Sequence, residues 1–420
     1  MRATRVLAAA SVVALAATLG ACAPDDGVPT LTWYINPDDG GQARIAAACT
    51  DAADGAYRIE TSLLPRDAAS QREQLARRLA AGDASLDIMS LDPPFIPELA
   101  EPGFLDEVPE ELQQTDGIVQ GAVESASWDG ELVTVPFWAN TQLLWYRESV
   151  AEQAGLDMSQ PVTWDDIISV AEEQDLRLGV QGALAESLTV WINALVASAG
   201  GQILENPEAS ADDLRLGLDT DAGRAAADII GRIGSEGLGG SGLPTADENA
   251  NMNLFQGEQG SFMVNWPFVW PAMTGADPEI ADDLGWAVYP RVDADTPAAP
   301  PVGGINLGVG AFSDNPDLAW QAVACIVQPE NQSEYFVTDG NPPSNAAAYD
   351  DPRVQEEFPM ADTIRESLDL GVPRPQTPYY NEISIGLQRT WHPPTAVNPD
   401  STPASSSEFI LAVLRGERLL

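Results

Sequence analysis

Five short segments near the start of the chain alternate in a way that few folds accept. Residues 30–34, Thr-Leu-Thr-Trp-Tyr, are β-branched and aromatic and read as a strand. A helical stretch at 42–53 follows, then a strand at 57–64, a helix at 69–81 and an apolar run at 86–91. A strand without polar alternation has to be covered on both faces. Strand–helix–strand–helix–strand in that order predicts a parallel sheet with right-handed crossovers.

The pattern then restarts. Trp128-Asp129-Gly130-Glu131 reads as a hairpin leading into 132–137, and 143–146 is a further strand. Thr163 and Asp166 have the spacing of a capping box at the head of a helix over 164–174. Helices are expected at 190–199, 220–236 and 248–256, and strands at 260–265, 285–289 and 303–311. A helix at 316–329 comes next, and a Pro/Ser-rich loop at 395–407 precedes a last helix at 407–415. Two α/β units, with the chain returning to the first after the second, predict two lobes around a hinged cleft, a natural place for a ligand. The expected division is 30–138 plus 306–345 for lobe one and 139–305 plus 346–420 for lobe two.

The first residues carry an address rather than a fold. Arg2 and Arg5 precede an apolar stretch over 6–19, and Leu19-Gly20-Ala21-Cys22 closes it. About 14 apolar residues fall short of the roughly 20 that span a bilayer as helix, and the flanks match a secretory signal. Leu-Gly-Ala-Cys resembles a bacterial lipobox, which implies cleavage of 1–21, lipid on Cys22 and a tether over 22–29. The mature protein is then expected outside the cell, lipid-anchored to the outer face of the cytoplasmic membrane. The other two cysteines, Cys49 and Cys325, are expected to form one disulfide within lobe one, with two buried thiols as the competing reading.

Charge and residue counts exclude several functions. The net charge is −44, with 20 basic residues that are all arginine. No basic patch is available to displace counterions from nucleic acid. The chain has 1 histidine, His392, beside Pro393 and Pro394, and no CxxC. A zinc site, a Ser-His-Asp triad and a Cys-His dyad are hard to build from that set. No cofactor, metal site or catalytic residue is expected.

Eight segments in order resemble the extracellular solute-binding proteins of ABC sugar importers, the maltose-binding-protein-like family. They are Asp87-Ile88-Met89-Ser90-Leu91-Asp92, Gly103-Phe104-Leu105-Asp106, Trp128-Asp129-Gly130-Glu131, Leu144-Trp145-Tyr146-Arg147, Pro161-Val162-Thr163-Trp164, Phe255-Gln256-Gly257-Glu258, Gly303-Gly304-Ile305-Asn306 and Pro373-Arg374-Pro375-Gln376. Among its members the chain looks most like actinobacterial trehalose-binding lipoproteins. The resemblance implies an α/β, two-lobed periplasmic-binding-protein-like fold with a hinged central cleft. It also implies a monomer that hands a disaccharide, best read as trehalose, to ABC permease subunits.

A disaccharide offers hydroxyls that donate and accept and C–H faces that lie against rings, so its site needs carboxylates, amides, arginine and aromatics. Strand ends and crossovers are where such clefts open. Asn36 follows the first strand and Asp92 the third. By resemblance, Asp92 stands where the family places a hydroxyl-chelating aspartate; capping the turn at Pro93 is the competing role. Asn140, beside Trp138, lies at the crossing, Glu248 heads a helix, and Trp266 and Trp270 are candidate stacking rings. Gly304 would let backbone amides approach a sugar, or serve a tight strand entry. Arg374 is held between two prolines just before Tyr379. The alternatives are another solute (a maltooligosaccharide, glycerophosphocholine or a peptide) and, from another class, an exported glycoside hydrolase with paired carboxylates.

Overall fold

The computed structural model describes residues 27–276 and 280–420. Cys22 and the expected leader lie outside the described residues. Strand β1 (Thr30–Ile35) pairs in parallel with β2 (Arg58–Leu63) and β3 (Ile88–Leu91). All four residues of β3 are buried, as its unbroken apolar pattern requires. The helices Gly41–Ala52 and Ala68–Ala80 make the two crossovers. The short hairpin of β4 (Ser127–Trp128) and β5 (Glu131–Leu132) leads into β6 (Val135–Thr141). The chain then leaves the first sheet.

Strand β7 (Leu143–Arg147) lies in a second sheet. With β8 (Arg177–Gly179), β9 (Gly260–Asn265) and β10 (Leu284–Ala287) it forms the order β10-β7-β9-β8. Trp164, Trp191, Ile230, Tyr289 and Trp391 fill the core beside it. The capping box is present: Asp166 N–H donates to Thr163 Oγ1 at 3.1 Å, and Thr163 N–H donates to Asp166 Oδ2 at 2.8 Å.

The return strand β11 (Pro301–Val309) joins the first sheet antiparallel to both β3 and β6, and its first two residues pair with β12 (Val372–Pro373). The sheet is therefore mixed rather than all parallel. Apolar patterning marks a strand but not its direction, and this one arrives from the other lobe. The expected lobe changes at 138/139 and 305/306 fall inside β6 and β11. These strands pair from Val302 opposite Thr141 to Leu307 opposite Val135, so Gln142 is the point of exit and Pro301 the point of return.

Three element boundaries differ from expectation. The helix expected at 190–199 begins at Glu186. The one expected at 316–329 is two helices, Pro316–Ile326 and Pro329–Asp339, because a proline opens the second. The helix Thr402–Leu414 takes up part of the expected Pro/Ser-rich loop, with Pro403 in its first turn. Cys49 and Cys325 are disulfide-bonded, with Cα atoms 5.9 Å apart. The bond ties the helix after β1 to the helix after β11, so it closes the first lobe around the first excursion into the second.

Candidate functional site

Asp92 is the first residue after β3. Its side chain makes no capping bond to the turn Pro93–Phe95, so turn capping does not occupy the carboxylate. Instead it accepts from Arg374 Nη2 at 2.6 Å. Arg374 follows β12, where the chain crosses from the first sheet towards the helix Tyr380–Trp391. The other arm of its guanidinium, Nη1, donates to Glu186 Oε1 at 2.7 Å.

Glu186 opens the helix Glu186–Ser198, where the partial positive charge of a helix start favours a carboxylate. It also accepts from the Tyr380 hydroxyl, and from Ser384 Oγ at 2.6 Å. Arg374 is only 6% exposed. Burial opposes its charge, but the charges of Asp92 and Glu186 outweigh that and raise its pKa well above the ordinary value. Burial, then the charge of Glu186, pushes the Tyr380 phenol well up, so it stays a donor. Phe95 packs edge-on against Tyr380, with centroids 5.4 Å apart. These contacts join the β3 end of the first lobe to the second.

Asn36 lies beside this group. Its Nδ2 donates to Gln71 Oε1 at 3.0 Å, and its backbone carbonyl accepts from Gln42 Nε2 at 2.9 Å. Gln71 lines one small recess together with Ser90, Asp92 and Phe95. The Asn36 Oδ1 and Gln42 Oε1 atoms are buried without a hydrogen-bond partner. An unmatched buried acceptor costs about 1–3 kcal/mol, which a donor hydroxyl would recover.

The hinge side is built differently. Asn140 is opposite Gly303 in the β6–β11 register, and its Oδ1 accepts from Thr141 N–H at 3.0 Å. The Trp266 ring lies against Gly303, where an added Cβ would sit 3.3 Å from it. The Trp266 indole N–H favours the charged form of the Glu248 carboxylate. Burial raises the pKa of Glu248, and the Trp266 donor offsets part of that rise. Val302 pairs with Pro373, so Gly303 and Arg374 are the next residues on adjacent strands. Gln142, the residue at the exit from the first sheet, is fully buried with an unmatched Oε1.

Four remaining candidates have packing roles. Gly304 has φ +117°, and a Cβ there would meet the Trp138 carbonyl at 2.1 Å; the close approach of β6 demands this glycine. Trp138 leans on Tyr335 at 6.4 Å, with its indole nitrogen buried and unpartnered. Trp270 donates to the Glu357 carbonyl at 2.9 Å and packs edge-on with Trp286. Tyr379 is half-buried against the second-lobe core. Sequence reasoning missed Glu186, Gln71, Tyr380 and Ser384. Starting the 190–199 helix four residues earlier would have put Glu186 in its first turn.

Residues 58–333 match the family described as bacterial extracellular solute-binding protein. The chain belongs to that family. It is 26% identical to a probable ABC transporter-binding protein of Deinococcus radiodurans over 281 residues, 62% of this chain and 64% of the relative, so it spans just under two thirds of that protein. Its fold matches maltose-bound MalE3 of T. maritima at TM-score 0.77 and 22% identity, covering 93% of this chain and 100% of that one. The GacH receptor of Streptomyces glaucescens, solved unliganded and with acarbose, matches at 0.77 and 18%, covering 92% and 99%. UgpB of Mycobacterium tuberculosis, in complex with glycerophosphocholine, matches at 0.73 and 18%, covering 93% and 100%. The two-lobed architecture expected from the sequence is thus the fold of this solute-binding chain.

Proposed function

We propose that the protein is the lipid-anchored, non-catalytic solute receptor of an ABC importer. In this reading it is a monomer that takes a disaccharide, best read as trehalose, between its lobes and delivers it to membrane permease subunits. The observation that carries this reading is the set of groups at the lobe junction. A guanidinium lies between two carboxylates, Asn36, with an unpartnered amide oxygen, is bonded to Gln71 at the Asp92 recess, and an indole rests on the hinge strand. That set matches what a polyhydroxylated ligand requires. Two structural neighbours hold maltose and acarbose, in keeping with a sugar.

A hydrolase reading gains little from the same residues. Asp92 and Glu186 both accept hydrogen bonds from one arginine, which suits holding hydroxyls better than protonating a leaving group. Calorimetry with trehalose, maltose, glycerophosphocholine and a short peptide tests the substrate class. Trehalose binding without released glucose is the expected result. Glucose release would overturn the receptor reading, and binding of glycerophosphocholine alone would replace the sugar. For the anchor, Cys22→Ala is expected to release folded binder into the medium; retention on the membrane would refute lipidation.

A further inference from the structure

The junction contains an asymmetry that the ligand reading does not use. Arg374 donates to one carboxylate on each side, yet the two carboxylates are not equally held. Glu186 has three donors, Arg374 Nη1, the Tyr380 hydroxyl and Ser384 Oγ. Tyr380 and Ser384 both belong to the helix Tyr380–Trp391, whose Ile383, Leu387 and Trp391 are built into the second-lobe core. Asp92 stands on the first lobe, and among the described residues its carboxylate accepts one side-chain hydrogen bond, from Arg374 Nη2. The Phe95–Tyr380 edge contact joins the same two elements.

We propose that Glu186 is a positioning residue that fixes Arg374 to the second lobe and so makes the Arg374–Asp92 pair a latch between the lobes. Asp92 is the exchangeable end. Separating the lobes leaves Glu186 with all three donors and costs Asp92 one. A solute hydroxyl that donates to Asp92 replaces that donor. The latch therefore favours a closed arrangement before solute arrives, and the exchange at Asp92 rests on the solute-receptor reading. The latch itself does not rest on it, because closure can be measured in protein without solute.

The test is single-molecule energy transfer between dyes on genetically encoded labels at Leu63, 67% exposed on the first lobe, and at exposed Asp212 on the second. Solute-free wild type is expected to populate a short-distance state. Glu186→Gln, which keeps the shape and removes the charge, should lower the closed-to-open ratio about tenfold, or about 1.4 kcal/mol. Asp92→Asn should do the same, and the double variant should go no further than either alone. Tyr380→Phe keeps the ring against Phe95 and should shift the ratio in the same direction by less; it decides the matter if Glu186→Gln does not fold. A role confined to stability would lower the melting temperature and leave the distances unchanged. Unchanged distances in folded Glu186→Gln, or additive effects in the double variant, overturn the latch. If the ratio shifts but trehalose does not bind, the sugar reading fails and the latch stands.

Discussion

The two sides of the junction solve opposite problems. At the β3 end, a buried Arg374 is paired with two partly buried carboxylates, Asp92 and Glu186. On the hinge side, Trp266, Glu248 and Gly303 meet through one indole donor and a ring face. Burying charge is tolerable only when partners are complete, so the charged end is stiff and intolerant of deletion. The aromatic end gains most of its contact energy from area, which survives small displacements. In the proposed receptor, closure and release would call for one end of each kind.

The disulfide offers a control that should leave both ends alone. Cys49→Ala with Cys325→Ala opens a closure spanning 276 residues and is expected to cost about 4–5 kcal/mol of stability. Denaturant unfolding checks the loss, and solute affinity at 25 °C should stay within about twofold. A large change in affinity would mean that the first lobe is not an independent platform.

Breaking the charged end comes next. Arg374→Ala leaves the partly buried Asp92 and Glu186 without their shared cation, a loss of about 2–3 kcal/mol once solvent screening is allowed for. Calorimetry should show solute binding weakened a hundredfold or more, and urea unfolding should show lower stability. Near-normal affinity would remove the charged end from the site.

Trp266→Ala probes the other side. Losing one stacking ring should cost about 1–3 kcal/mol of binding, counting area and ring geometry together, while the melting temperature moves little. If Trp266→Ala hurts binding more than Arg374→Ala, the roles of the two ends are reversed.

The smallest effect concerns Glu248. Its carboxyl is raised by burial, with Trp266 opposing. The folded protein therefore holds this proton more tightly than the unfolded chain does. Its contribution to stability is greatest below the ordinary carboxylate pKa and falls as pH rises through the raised folded value. Glu248→Gln should flatten that fall, because a neutral amide has no proton to lose. Thermal melts from pH 4 to 7 would show it, and an unchanged profile would mean that Glu248 is not the group responsible.

How much could be read in advance follows from the range of the forces involved. The elements from Thr30 to Leu91 were legible because strand and helix periodicity is local, as was the Thr163–Asp166 cap. Asp92 and Arg374 could be named as polar residues at a strand end and between prolines. Nothing local indicated that they bond to each other across 282 positions. Glu186 escaped because Ala185, a residue without a capping side chain, precedes its helix. Trp270 packs against Trp286 and Gly304 is crowded by Trp138, contacts with residues on other elements that no local pattern announces.

By itself, then, the sequence determined the α/β class, the return of the chain to its first lobe, and the polar and aromatic types available at the crossings. These are consequences of hydrophobic period and chain order, which each segment carries alone. Only the tertiary structure decided the antiparallel insertion of β11 and the sharing of one guanidinium by Asp92 and Glu186. Those depend on which distant groups are brought within about 3 Å of each other, a distance over which hydrogen bonds and ion pairs act and which no local pattern encodes.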